Sequence, residues 1–475
     1  MTTEARRRPS TEGVDDVWET RLVERSFDVV VLGAGPAGEV VAGRLGEAGV
    51  SVGLVEAELV GGECSYYACM PSKALIRPGE LLAEVGRVPG LRAEGLDAGA
   101  VFRRRDEVIH ELEDSAQIPW LEQRGVTLVR GRGRLDGERR VVVGDDVLVA
   151  GRAVVVATGS TSLLPPLPGL ADARPWTNRE ATTASAVPSS LLILGGGVVG
   201  VELAQAWASL GSRVTVVEGA QCVLAREEPF AGEQVAAGLR ALGVEIRTGV
   251  HAVAARRAAG DGDVALQLDD GTEVSGAELL VAVGRRPATD GIGLETIGLE
   301  PGGPIEVGPN LRAPGHRWLY AIGDVNGHAP LTHMGKYQGR LAADAILGKD
   351  VALRSDGPLS PRVIFTDPQV AAVGHTLASA REAGLNVRAV DVQTSGTAGA
   401  SFVGRDAAGT SRLVIEEERR IVVGATFVGV ETAELLHAAT IAVVGEVPLD
   451  TLWHAVPSFP TRNEIWLRLL ESYGL

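Results

Sequence analysis

The segment Phe27-Asp-Val-Val-Val-Leu-Gly-Ala-Gly-Pro-Ala-Gly38 joins a run of aliphatic residues to three glycines spaced G-x-G-x-x-G. A short apolar run ending in a glycine turn reads as a strand buried on both faces. Gly33 supplies the tight turn, Gly35 lets backbone approach a ligand, and Gly38 lets the next helix pack close. That helix opens at Pro36 and Ala37 and carries Val40, Val41 and Leu45 on the same face as Ala37. A second strand, Val50–Val55, ends at Glu56, where an acidic side chain can bond a ribose hydroxyl. Strand, turn, helix and terminal acid in this order read as a dinucleotide-binding unit, with a pyrophosphate at the helix N-terminus.

The unit recurs. Leu191-Leu-Ile-Leu-Gly-Gly-Gly-Val-Val-Gly-Val-Glu202 repeats strand, turn and helix with Gly195, Gly197 and Gly200, and Val214–Glu218 is its second strand. Two units imply two dinucleotides. Glu218 favours the free 2′-hydroxyl of NAD, and Gly219, Ala220 and Gln221 offer no arginine for a 2′-phosphate. Arg226 lies further along. Two other strings, Arg152–Gly159 with Thr158 and Gly159, and Trp318–Asp324 with Gly323 and Asp324, read as buried strands ending in turns. Asp324 suits a cofactor hydroxyl at the carboxyl end of a parallel sheet, or a helix cap before Leu331.

At 475 residues the chain exceeds one core and suggests about three domains. Its 61 glycines suit phosphate loops and tight turns. A net charge of -16 argues against nucleic acid or an anionic membrane as partner, and no apolar run is long enough to span a bilayer. Three cysteines make no disulfide framework, so a cytoplasmic protein is expected, with Cys222 structural. Residues 1–25 read as a flexible leader that Trp18 could pin. Beyond residue 355 there is no glycine-rich turn. Val363–Phe365, Val370–Val373, Arg412–Ile415 and Ile421–Val430 are strand-like, and Thr432–Val444 and Asn463–Tyr473 are helical by period. This reads as an α+β domain.

Cys64 and Cys69 stand between Gly61-Gly62 and Pro71. Residues five apart on an ideal helix have Cα atoms about 8–9 Å apart, whereas a disulfide needs roughly 4.4–6.8 Å. A bond between them therefore requires a break in the helix, and a strained, partly exposed bridge is the labile, catalytic kind. From spacing alone, two core cysteines are an equally open reading.

Taken together, GAGPAG, the CxxxxC before Pro71-Ser-Lys73, ATGS, GGGVVGVE and AIGD resemble the flavin-dependent pyridine nucleotide–disulfide oxidoreductases, a family that includes dihydrolipoamide dehydrogenase, glutathione reductase and mercuric reductase. The resemblance covers the chain from about residue 26. It implies an α/β fold with two Rossmann-like dinucleotide-binding domains and a C-terminal α+β dimerisation domain. The FAD domain would span 26–160 and 289–352, the NAD(P) domain 161–288 and the dimerisation domain 353–475. It implies FAD held by Gly33, Gly35, Pro36, Ala37, Gly38, Glu56, Gly62, Lys73, Thr158, Gly159, Gly323 and Asp324. The nicotinamide dinucleotide, NADH by preference, would be held by Gly195, Gly197, Gly200, Glu218, Gly284 and Arg285. Electrons would pass from NAD(P)H through the flavin to a Cys64–Cys69 disulfide, Cys69 facing the flavin and Cys64 the substrate. Lys73 and Glu202 match the pair beside the reactive flavin nitrogen, and a homodimer is implied, with no metal.

Two departures stand out. The family's C-terminal His-Pro-Thr reads Phe459-Pro460-Thr461 here, followed by the retained Glu464, and His454 is the nearest histidine in sequence. Phenylalanine moves no proton. Mercuric reductase also lacks this histidine, and the ketopropyl-coenzyme M carboxylases carry Phe there but replace the partner Glu. Between the cysteines stand Tyr66 and Tyr67, which either pack against the flavin domain or shape the acceptor pocket and supply a proton. The reading is an NAD(P)H oxidoreductase acting on an atypical disulfide or other electrophilic small molecule. Direct quinone or metal-ion reduction, carboxylase-like chemistry and a non-catalytic redox sensor are the alternatives.

Overall fold

A computed structural model describes residues 23–405 and 407–475. The first strand, β1 (Val23–Leu32), begins inside the stretch assigned to the leader, because Val23 pairs with Asp146. The rest of that stretch, Trp18 included, lies outside the described residues. Val29, Val30, Val31 and Leu32 are buried on both faces, as their uninterrupted apolar run requires. Helix α1 (Pro36–Glu47) crosses back to β2 (Val52–Glu56), which lies parallel to β1.

The glycines divide their labour by geometry. Gly33 has φ +101°, and a Cβ there would sit 2.5 Å from the Ala157 carbonyl oxygen. A Cβ on Gly38 would lie 1.9 Å from the Gly33 oxygen, whereas one on Gly35 meets nothing within 4 Å. The turn is closed on the protein side and open on the cleft side.

Two helices follow, α2 (Gly62–Tyr66) and α3 (Cys69–Arg87). The long strand β3 (Asp146–Val156) then pairs with β1 on the side away from β2. The second unit repeats the first: β4 (Ser190–Leu194), α4 (Val198–Ser209) and β5 (Arg213–Glu218). They belong to a parallel sheet with Glu245–Thr248 and Glu278–Val281 at its edges. Its glycines behave alike: a Cβ on Gly195 would lie 2.5 Å from the Ala282 oxygen, one on Gly200 1.9 Å from the Gly195 oxygen, and one on Gly197 in open space.

Strand β6 (Leu319–Ala321) returns the chain to the first sheet beside β3 and delivers Gly323 and Asp324 to its carboxyl edge. Helix α5 (Thr332–Ile346) then packs on α1. The two units are tied by an antiparallel pair, Ser160–Ser162 with Arg285–Pro287, and by packing of α3 on α4. At that seam Trp207, fully buried, has its ring centroid 6.0 Å from Phe102 and 5.9 Å from Trp176.

The C-terminal domain is a five-stranded antiparallel sheet backed by helices Leu436–Val444 and Glu464–Tyr473. Its edge strand Val387–Gln393 escapes a search for apolar runs, since charged residues such as Arg388 and Asp391 alternate through it. Thr432–Leu435 forms a 3₁₀ turn before the α-helix proper. No described helix is long and apolar enough to cross a membrane.

Candidate active site

One cleft of about 1640 Å³ runs past both glycine turns and both cysteines. Sheet order explains why: each turn lies at the carboxyl ends of its strands, where an open α/β sheet leaves a crevice. Glu56 accepts from the backbone N–H groups of Ala34 and Glu58, both at 2.7 Å. Glu218 does the same with Gly196 and with Ala220 at 2.7 Å. Each acid thus braces its own turn, and each carboxylate keeps lone pairs for a ribose hydroxyl. With Gly35 and Gly197 facing open space, both turns fit a dinucleotide. Gly62, at φ +59°, brings the start of α2 against Gly35, where a Cβ would lie 2.8 Å from the Gly35 Cα. Burial pushes Glu39 up to about 7, Lys336 opposing and Glu56 reinforcing the shift. A carboxyl raised this far carries less charge near neutrality and repels a pyrophosphate at the start of α1 less than an ordinary glutamate would.

The helix breaks between the cysteines. Helix α2 ends at Tyr66, Ala68 has φ -132° and ψ -94°, and α3 starts at Cys69. Both cysteines are thiols in this structure. The Cys69 sulfur lies 3.3 Å from Thr332 Oγ1. Cys69 is thus the first residue of one helix and Thr332 the first of another, so two positive helix ends meet near one sulfur. A hydrogen bond from Cys64 lowers the Cys69 thiol to about 6, with Thr332 and Lys73 adding and burial opposing. The bond to Cys69, and then burial, push Cys64 well above the usual thiol range. Of the two sulfurs, Cys69 is the one favoured to ionise and Cys64 the one favoured to keep its proton.

Lys73, one turn into α3, donates to Glu202 of α4 at 2.7 Å. Glu202 is buried, and its other oxygen accepts from Phe365 N–H at 2.9 Å. The Lys73 ammonium also sits 4.7 Å from the Phe365 ring centroid. Thr158 donates to the Ala288 carbonyl at 2.8 Å, and Gly159 accepts from Ala288 N–H. Gly323 N–H is held by the buried Gln338 at 2.7 Å. Asp324 accepts from Ser160 at 2.6 Å, and Ser160 accepts from Arg285 at 2.8 Å. Gly284, at φ +136°, precedes that arginine.

The structure also fixes the surroundings of the other assigned residues. Arg285, assigned to the nicotinamide dinucleotide, lines the cleft, donates to Ser160 and Asn178 and lies 3.5 Å from Glu63. Glu63 in turn binds Arg179 at 2.8 Å and Asn178 at 2.8 Å, which ties the helix bearing Cys64 to the second unit. Tyr66 is fully buried, its hydroxyl has no partner, and it does not line the cleft, so it is placed as packing and not as a proton source there. Tyr67 does line the cleft, under the Arg179 guanidinium at 4.5 Å from the ring centroid. Phe459 is 77% exposed on the C-terminal domain, away from this chain's own cleft, on the domain whose residues the family resemblance expects to serve a partner subunit's site. Glu464 is buried and accepts from Gly399 N–H at 3.1 Å. His454 is also exposed, away from the cysteines' cleft.

Thr332, Gln338, Glu63 and the cleft-lining His328 escaped the sequence reading. They belong to no spaced motif and meet the site only through the fold. Among the described residues no group of three or more His, Cys, Asp or Glu is placed to hold a metal ion.

The sequence profile of the pyridine nucleotide-disulphide oxidoreductases matches residues 27–339, and that of the family's dimerisation domain matches residues 360–469. The chain belongs to this family. It is 32% identical to a dihydrolipoyl dehydrogenase of Haloferax volcanii, over 94% of this chain and 96% of the relative. It is also 32% identical to a mercuric reductase of Shigella flexneri, over 90% of this chain and 77% of that protein. The crystal structure of LpdA from Mycobacterium tuberculosis superposes with a TM-score of 0.83 at 25% identity, over 95% of this chain and 100% of that one. Members of the family use FAD and NAD(P)H, and the chain is a flavoprotein disulfide oxidoreductase with a dimerisation domain.

Proposed function

We propose that this chain is a cytoplasmic, homodimeric enzyme that takes electrons from NADH, in preference to NADPH, and passes them through FAD to Cys64 and Cys69. The acceptor is an atypical disulfide or another thiol-reactive electrophile. One observation supports the reading: Cys69 lies beside Cys64 and 3.3 Å from Thr332 at two helix starts, an arrangement that favours its ionisation over that of Cys64, in the cleft both dinucleotide turns share.

The residues that would hold FAD are those of the first turn, Glu56, Gly62, Lys73, Thr158, Gly159, Gly323 and Asp324. When bound, FAD supplies hydride-to-dithiol electron transfer. Lys73 places a fixed positive charge in the cleft, and Glu202 stops it from swinging away. Thr332 would donate to Cys69 once that sulfur is ionised. The second turn and Glu218 would hold the nicotinamide dinucleotide. Glu218, with no arginine at positions 219–221, supports NADH.

Phe459, at the position where the family's motif has a histidine, supports an acceptor other than dihydrolipoamide, because a missing base typically costs about 10²–10⁴ in rate. The test is NADH-driven reduction of a panel of disulfides by the wild type and by Cys64→Ser. The reading requires the variant to lose it, and full turnover by the variant rejects the dithiol route. A second reading, direct reduction of a quinone in the cleft, is favoured by His328 on the cleft wall, its Nδ1 held by Asp356, and in that case activity survives Cys64→Ser.

A further inference from the structure

The segment from Asp324 to Thr332 joins two points of the site, the Ser160–Asp324 bond and the Thr332–Cys69 contact. His328 stands on it and lines the cleft. Its Nδ1 lies 2.5 Å from Asp356 Oδ2. The other Asp356 oxygen accepts from Gly357 N–H at 2.8 Å, which fixes the carboxylate, and the Asn326 side chain accepts from His328 N–H at 3.1 Å. Both partners are about one-third exposed. A carboxylate against Nδ1 sets the tautomer with the proton on that nitrogen and leaves Nε2 free to exchange one. Among the described residues Nε2 makes no hydrogen bond.

The cleft offers few other groups for this task. His251, the other histidine on its wall, sits against Gly219 at the far end of the second unit. Lys73 is committed to Glu202. Cys64 is held protonated and Tyr67 is pushed up by burial.

We propose that His328, oriented by Asp356, is the proton-exchanging residue for two-electron acceptors of the quinone class that react in this cleft. The inference rests on the donor half of the proposed function, NADH and FAD, and not on the cysteines. The balance is simple. Reduced nicotinamide plus quinone plus one proton gives oxidised nicotinamide plus quinol. The hydride supplies two electrons and one hydrogen. His328 in its imidazolium form gives the second proton to the quinol oxyanion and regains one from solvent. Asp356 is a positioning residue, since it acts through the imidazole.

The test uses the FAD-loaded protein reduced with dithionite and mixed with 1,4-benzoquinone or, separately, with ferricyanide, which takes an electron without a proton. His328→Ala should slow reoxidation by benzoquinone roughly 10²-fold, leave ferricyanide nearly as fast as before, and recover part of the quinone rate when imidazole is added. An equal loss with both acceptors, no loss with quinone, or no recovery with imidazole overturns the proposal. If the alanine variant sheds its flavin, His328→Asn, whose amide can still donate to Asp356, goes through the same pair of measurements. A readout free of turnover is the ¹⁵N spectrum of histidine in the FAD-free chain. It should show His328 protonated at Nδ1, and Asp356→Asn should shift that signal. An Nε2-protonated ring in the wild type contradicts the assignment. NADH takes no part in these measurements, so their failure is distinguishable from a failure of NADH to reduce the flavin.

Discussion

Cys69 and Thr332, far apart in the chain, are the first residues of their two helices and meet at 3.3 Å between sulfur and hydroxyl. Thr332→Val removes that hydrogen bond while keeping the side chain's shape. A hydrogen bond to a charged group contributes about 1.5–3 kcal/mol, which corresponds to about 1–2 on the pH scale. The Cys69 thiol ionises near 6, so the thiolate is present above that pH and lost below it. In the dithiol form of the FAD-loaded protein, the long-wavelength thiolate absorbance of wild type should fade as pH drops through about 6. In the variant the midpoint should move upward by about 1–2. An unchanged midpoint removes Thr332 from the account.

The two glycine turns allow the two dinucleotides to be separated by mutation. A Cβ at Gly38 or at Gly200 would lie 1.9 Å from a backbone oxygen of its own turn. Gly38→Ala should purify with little flavin. Gly200→Ala should purify yellow but should not bleach with NADH. A Gly200→Ala protein that is reduced by NADH at the wild-type rate contradicts the assignment of the second turn.

Glu202 joins three parts of the fold, accepting from Lys73 and from Phe365 N–H while buried in α4. Glu202→Ala leaves a backbone donor without its partner and frees a half-exposed ammonium. The expected cost is about 2–3 kcal/mol in urea unfolding. Glu202→Gln should cost less, since the amide oxygen can still accept from Phe365.

Glu464 is buried, and a structural role for it survives without a histidine beside it. Its carboxylate accepts from Gly399 N–H, at a place where a Cβ on Gly399 would lie 2.1 Å from the Thr461 carbonyl carbon. Glu464→Ala should therefore loosen the segment carrying Phe459 and cost about 1–2 kcal/mol. Hydrogen exchange at the Gly399 amide reads this out directly. Unaltered protection there would mean the carboxylate is not its partner.

What the sequence made legible follows from how local each constraint is. Gly38 and Gly200 are forced by contacts within their own turns, and Gly33 and Gly195 by their positive φ of +101° and +113°, so spacing alone exposes them. The break between Cys64 and Cys69 follows from helix geometry once a bond between the two cysteines is assumed. Thr332, Glu63 and the His328–Asp356 pair act across the fold, and no periodicity marks them. Tyr66 and Tyr67 are neighbours of one type, yet the end of α2 buries the first and leaves the second on the cleft wall. Arg285 sits in a motif that suggests a dinucleotide ligand, and the motif does not reveal its bonds to Ser160 and Asn178 from the adjoining strand and helix.

The most direct test of the central claim is an anaerobic titration of the FAD-loaded, air-oxidised protein with NADH, counting thiols before and after. The account predicts that the flavin is reduced, that a long-wavelength thiolate band grows, and that two thiols per chain appear beyond that of Cys222. Bleaching of the flavin with no new thiols would contradict it, and would make Cys64 and Cys69 bystanders to electron transfer.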